Sequence, residues 1–168
     1  MQITDVATML DYLGSTHGRT RRIIECVPPE MLEWAPAPDK FSFGDLIRHL
    51  AGIERFMYAE NVHGRPSRYP GHDRSLADGY DATLAYYDRL HAESRALFAA
   101  LDRDALDRKC TTPAGTPITT WKWLRAMFEH EAHHRGQIYL MLGLRGVETP
   151  PLYGLTSEEV RSRSTVGP

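Results

Sequence analysis

The sequence is poor in cysteine: its 168 residues hold two, Cys26 and Cys110. Two cysteines make no disulfide framework, and without a Cys-x-x-Cys knuckle there is no thiolate zinc finger to read. They fit a reducing compartment, so a cytoplasmic protein is expected. An excess of charge of one sign is also missing. Twenty Lys and Arg against 22 Asp and Glu leave a formal net charge of −2. A protein held to nucleic acid by its phosphates needs a basic face, so no nucleic-acid partner is expected. Arg19, Arg21, Arg22, Arg161 and Arg163 form only short basic pieces, which read as solvated surface. No run of 18 apolar residues exists, so no membrane-spanning helix is expected. The stretch Met1-Gln2-Ile3-Thr4-Asp5 has neither a basic n-region nor an apolar h-region, so no secretory leader is expected. Internal repeats and low-complexity tracts are absent too. The length predicts one domain over residues 1–168, burying roughly 70% of its unfolded surface.

What is present is helical periodicity. Ile3, Val6, Met9, Leu10, Leu13, Ile23, Ile24 and Val27 predict a first helix over about residues 3–26, ended by Pro28-Pro29. Residues 28–41 form a Pro-rich loop that Trp34 pins to the rest. Ser42-Phe43-Gly44-Asp45 resembles a capping box with Asp in the place of Glu. It opens a second helix whose apolar face is Phe43, Leu46, Ile47, Leu50, Ile53 and Met57, ending near Asn61. Residues 64–75 are polar with two prolines and read as an extended connection. A third helix runs to about Leu101 with a stripe of Tyr80, Leu84, Tyr87, His91, Ser94 and Phe98. Thr-rich arms around Pro113-Ala114-Gly115 predict a small β-hairpin. A fourth helix follows from Thr119 or Thr120 to about Leu144, with Trp123, Leu124, Met127, Ile138, Met141 and Leu142 on its apolar face. Four long amphipathic helices and one minor hairpin predict an all-α four-helix bundle.

Three of the eight histidines fall in one stretch of the fourth helix, Phe128-Glu129-His130-Glu131-Ala132-His133-His134-Arg135-Gly136-Gln137. His130 and His134, four apart, share one face of a helix and flank its apolar stripe. His133 lies about 60° further round, toward the polar side. Among the others, His63 and His72 fall in or near a loop, and His17 and His91 lie on helices with no partner of their own. His49, on the flank of the second helix's apolar stripe, is the best-placed third ligand. His130 and His134 stand about 15 and 21 Å from the start of their helix. His49 stands about 10 Å from the start of its own and about 20 Å from its end. The levels match if the second and fourth helices are antiparallel, which requires an up-down-down-up order with a long crossover. The 12-residue connection spans about 40 Å when extended, enough to pass a helix of about 30 Å. Three imidazoles with open positions beyond them are the donor set of a catalytic metal rather than a closed structural one. The alternative is three core-edge histidines, each bonding a backbone carbonyl.

With His49 on the second helix and the string His133-His134-Arg135-Gly136-Gln137 behind His130, the chain resembles the DinB family of four-helix proteins over nearly its whole length. The resemblance implies an up-down-down-up bundle, a divalent metal on His49, His130 and His134, and a homodimer. Zinc is the first expectation for the metal and nickel the second, since three imidazoles suit several ions. It further implies a thiol S-transferase or thiol-dependent isomerase using a low-molecular-weight thiol of the bacillithiol or mycothiol type on an electrophilic small molecule. Two other readings compete. His130-Glu131-x-x-His134 also fits the His-Glu-x-x-His of zinc peptidases, with Glu131 as base. However, no histidine follows His134, and the downstream carboxylates Glu148, Glu158 and Glu159 lie in or after Pro-rich sequence. The third reading is a non-catalytic metal-binding, dimerising protein. Catalytic residues are not assigned by the sequence. Glu131 reads as structural ahead of a proton-transfer role. Glu54, on the second helix's apolar face, needs a partner such as Arg22 or a place beside the metal. Tyr58, Tyr86 and Tyr87 read as core.

Overall fold

The computed structural model describes residues 2–164; Met1 and residues 165–168, the ends of the expected 1–168 unit, lie outside them. Four long helices form the body: α1 (Val6–Ile24), α2 (Phe43–Ile53), α3 (Tyr80–Ala99) and α4 (Thr120–Leu144). Strands β1 (Lys109–Thr111) and β2 (Pro117–Thr119) pair antiparallel as a hairpin just before α4, and a short α5 (Ser157–Arg163) closes the chain. The capping box at α2 is formed: Ser42 Oγ accepts from the Asp45 amide and Asp45 accepts from the Ser42 amide, each at 3.0 Å. Among the described residues no helix is long and apolar enough to cross a membrane.

Side-chain pairs between helices fix their directions. Arg95 reaches Leu10 while Arg21 pairs with Asp88, so α1 and α3 are antiparallel. Tyr12 packs on Phe128 and Thr20 on Glu131, so α1 and α4 are parallel. Arg48 meets Ala77 and Glu54 meets His91, so α2 and α3 are parallel. The order is therefore up-down-down-up, and the crossover between α2 and α3 brings α2 antiparallel to α4, as the histidine levels require.

The second helix does not stay α-helical. After Ile53 it continues as a π-helical segment, Glu54–Tyr58, and a last α turn, Ala59–Asn61. An i→i+5 turn spaces the buried face by five residues instead of four. Met57, expected on that face, is only partly buried, and Tyr58 takes its place at 4% exposure.

The apolar core forms two clusters. One gathers Ile23, Phe43, Ile47, Leu90, Ile138 and Leu142, and the other Leu13, Ile53, Phe98, Leu124 and Met127. The polar residues of the bundle interior sit at the level between them. Beside this layer Arg48 is fully buried, paired with Glu33 and donating from Nε to the Ala77 carbonyl at 2.9 Å. It ties the loop before α2 and the crossover to the turn that carries His49. Gly44 leaves the space for this pair: a Cβ there would stand 2.9 Å from both Arg48 Nη2 and Glu33 Oε1. The Gly44→Ala variant should therefore lose about 1–3 kcal/mol of stability, as overpacked sites do. Urea unfolding checks this, and a wild-type midpoint would remove the close-packing argument.

Candidate metal centre

The three histidines singled out in the sequence meet. His49 comes from α2, His130 and His134 from α4, and one ligand nitrogen of each lies within 4.8 Å of the others. His130 Nε2 is central, 3.0 Å from His49 Nε2 and 3.1 Å from His134 Nε2. His133 is exposed, its ring 4.9 Å from that of His134, and takes no part in the cluster.

The outer nitrogens set the tautomers. His134 Nδ1 lies 2.6 Å from Gln137 Oε1, which only accepts, so Nδ1 carries the proton and the Nε2 lone pair faces the cluster. Burial pushes His49 down to about 3, helped by His130, His134 and His72. Burial likewise pushes His130 down to about 4, followed by its histidine neighbours. His134 is lowered too, chiefly by burial, with its bond to Gln137 opposing. All three rings are thus neutral at ordinary pH. A neutral ring has one proton, and a proton on His130 Nε2 can satisfy only one of its two contacts. A cation at the point of convergence satisfies three lone pairs at once. Ring nitrogens on one tetrahedral zinc stand about 3.3 Å apart, close to the two spacings that His130 makes with His49 and His134. The donor set and its spacing fit a divalent metal.

The cluster has an open side. Phe41 borders it, its ring centroid 5.4 Å from His49 and 6.4 Å from His134. From His134 a groove of about 480 Å³ runs past Gln137 and Phe41 to Leu140, Met141 and Leu144, with Lys40 on its rim. That volume is in the range of small-molecule sites.

Behind the cluster lies a second polar group that the sequence reading did not assemble. His17 and His91, expected to be without partners, stack on each other with centroids 3.5 Å apart. Glu54 lies 3.1 Å from His91 Nδ1, so its partner is a histidine of α3 and not Arg22, which is exposed near Leu152. Glu131 accepts from Thr20 Oγ1 at 2.5 Å, and Arg135 donates to the same hydroxyl at 3.2 Å. The Glu131 carboxyl is raised to about 7, by burial first and by Glu54 second. Tied to α1, it does not join the three ring nitrogens. A small cavity of about 10 Å³, room for about one water, is lined by Glu54, Tyr58, Tyr87, His91, His130 and Glu131. The signal for this layer was Glu54 on an apolar face; its partners come from other helices, which periodicity along one helix does not reveal.

The family model of the DinB superfamily matches residues 12–138, which include all three histidines of the cluster. The chain belongs to the DinB superfamily. Solved DinB-like structures share its fold at low identity. A DinB-like protein of Bacillus subtilis superposes with a TM-score of 0.72 at 18% identity, over 89% of this chain and 99% of that one. YfiT from Bacillus subtilis, described as a probable metal-dependent hydrolase with an unusual four-helix bundle topology, gives 0.69 at 16% identity over 88% and 91%. A mycothiol-dependent maleylpyruvate isomerase gives 0.66 at 14% identity, over 80% of this chain and 60% of its own longer one. No curated protein matches the chain in sequence. In this DinB chain the string His133-His134-Arg135-Gly136-Gln137 now has a physical reading. Arg135 fastens α4 to α1, Gln137 orients His134, and His133 is surface.

Proposed function

We propose that the chain is a divalent-metal-dependent thiol S-transferase, with His49, His130 and His134 as ligands of one metal, zinc ahead of nickel. The thiol would be of low molecular weight, of the bacillithiol or mycothiol type, and the acceptor an electrophilic small molecule. The observation that carries the reading is the convergence of three neutral imidazole nitrogens at the head of an apolar groove. When bound, a divalent ion supplies a Lewis acid that makes a thiol available as its thiolate near neutral pH. The protein's own contribution is to keep the three lone pairs free of protons, to orient His134 through Gln137, and to shield the site with Phe41. The groove holds the apolar body of the acceptor against Leu140, Met141 and Leu144. The thiol gives up its proton to solvent, its sulphur forms the new bond to carbon, and the leaving group departs with the electron pair of the bond that breaks.

The likeness to a mycothiol-dependent isomerase supports thiol chemistry, and the likeness to YfiT supports a metal. Against the peptidase reading, Glu131 bonds Thr20 of α1 and is not among the atoms that converge with the three ring nitrogens. A homodimer, resting on the family resemblance alone, belongs to the same proposal. So does a cytoplasmic setting, supported by two free cysteines. The test is to incubate zinc-loaded protein with cysteine, glutathione, bacillithiol or mycothiol and 1-chloro-2,4-dinitrobenzene, following free thiol. Consumption above background with at least one thiol is expected. Peptide cleavage alongside inert thiols would reverse the assignment in favour of a hydrolase.

A further inference from the structure

His49 differs from His134 in what holds its outer nitrogen. His49 Nδ1 lies 2.7 Å from the hydroxyl of Tyr69, a residue of the crossover between α2 and α3. The same hydroxyl lies 3.2 Å from Nδ1 of His72, whose ring packs on Phe41 with centroids 4.1 Å apart. Phe41 is also the ring beside His49 and His134, so His72 belongs to the border of the three-histidine site. The seat of Tyr69 is built by a glycine on α2. A Cβ at Gly52 would stand 3.1 Å from Tyr69 Cε2, so a residue one turn beyond His49 makes room for the phenol ring to lie against the helix.

A hydroxyl has one proton. Between two imidazole nitrogens it donates to one and accepts from the other. The chain His49–Tyr69–His72 therefore has two polarities. In one, His72 Nδ1–H donates to Tyr69, Tyr69 donates to His49 Nδ1, and the His49 proton sits on Nε2, facing His130. In the other, His49 Nδ1–H donates to Tyr69, Tyr69 donates to His72 Nδ1, and the His72 proton sits on Nε2. Only the second leaves a lone pair on His49 Nε2. When the hydroxyl proton stays within the chain the two histidines carry linked tautomers: a lone pair on His49 Nε2 then goes with an Nε2–H on His72.

We propose that Tyr69 is a positioning residue that locks His49 with its Nε2 lone pair toward the metal, and that His72 is the end of this hydrogen-bond chain, its imidazole tautomer reporting whether the site is filled. The proposal rests on the three-histidine metal reading above. It assigns to the crossover a role besides spanning the bundle: it supplies the outer partners of the ligand that α2 carries. Such partners fix ring orientation and tautomer, and their loss costs about 10–100-fold in metal affinity.

The test uses the full chain, labelled with ¹⁵N and titrated with zinc at pH 8, where a free imidazole is neutral. Two-bond ¹H–¹⁵N correlations read which nitrogen of each ring bears the proton, and competition with a chromophoric chelator gives the zinc affinity. In the wild type, zinc should drive His72 into the Nε2–H tautomer. Tyr69→Phe removes only the hydroxyl. It should weaken zinc binding about 10–100-fold and leave the His72 tautomer indifferent to zinc. His72→Ala should weaken zinc binding less, and adding it to Tyr69→Phe should cost nothing further, because His72 acts through Tyr69. Wild-type affinity in Tyr69→Phe, or a His72 tautomer that still follows zinc in that variant, would overturn the chain while leaving the metal site standing. A wild-type protein that takes up no zinc would bring down both the metal reading and the chain.

Discussion

The His130→Ala variant is expected to lose its metal. His130 Nε2 is the one atom in contact with both other ring nitrogens, at 3.0 and 3.1 Å, so its removal leaves His49 and His134 without the group that joins them. Loss of an outer partner costs about 10–100-fold in affinity, and loss of a ligand itself should exceed that range. His49→Ala and His134→Ala should fall in the same class. His133→Ala is the control: its ring is exposed and outside the cluster, so that variant should keep about one metal per chain. Metal content after gel filtration, with affinity by chelator competition, reads all four. A His49→Ala variant that retains wild-type affinity would sink the three-histidine site, because α4 alone would then be the binding element.

The second large effect is on stability in acid. His17 is pushed down to about 4 by burial and by the stacked His91, His49 to about 3, and His130 to about 4. An unfolded histidine takes up its proton near 6.5. Each of these groups therefore contributes stability that is present above pH 6.5 and is lost as the pH falls through the folded value. Glu131 works in the opposite sense. Its folded value is raised to about 7 from an ordinary 4.5, so its contribution is present below pH 4.5 and lost as the pH rises to 7. Three groups outweigh one. Solvent screening of the half-buried rings reduces the effect, but its direction between pH 6.5 and 4 is a net loss of stability, set against the roughly 5–15 kcal/mol typical of a folded domain. Chelator-treated protein should unfold in acid near pH 4. Zinc-loaded protein should begin from a higher stability, because the metal binds the folded state. Urea midpoints measured at half-unit steps would test it, and a flat line from pH 7 to 4.5 would refute the burial account of these rings.

The parts legible in the sequence were those that repeat along one helix or announce an end. The capping box at Ser42 and Asp45, the hairpin before α4 and the phase of His130 and His134 are of this kind. His49 follows from phase combined with helix rise, because a bundle keeps its helix ends roughly level. The parts that were missed depend on pairing between distant segments. Arg48 reads as a polar interruption of an apolar stripe until Glu33 and Ala77 close around it. His17 and His91 look solitary until α1 and α3 bring them face to face, with Glu54 supplied by α2. His72 reads in the sequence as a loop residue, yet the crossover returns it to the border of the three-histidine cluster.

The π-helical segment Glu54–Tyr58 bears on how this chain is compared with others. One turn with an extra residue is what a single-codon insertion leaves in an α-helix that must keep both of its flanks against a core. Upstream of it His49 faces α4, and at its last residue Tyr58 does. A relative whose second helix is α-helical throughout would match one flank or the other, but not both, in an ungapped alignment. At identities of 14–18%, a one-residue gap placed within residues 54–58 decides whether the aromatic beyond His49 is aligned with its counterpart or with the neighbour of its counterpart.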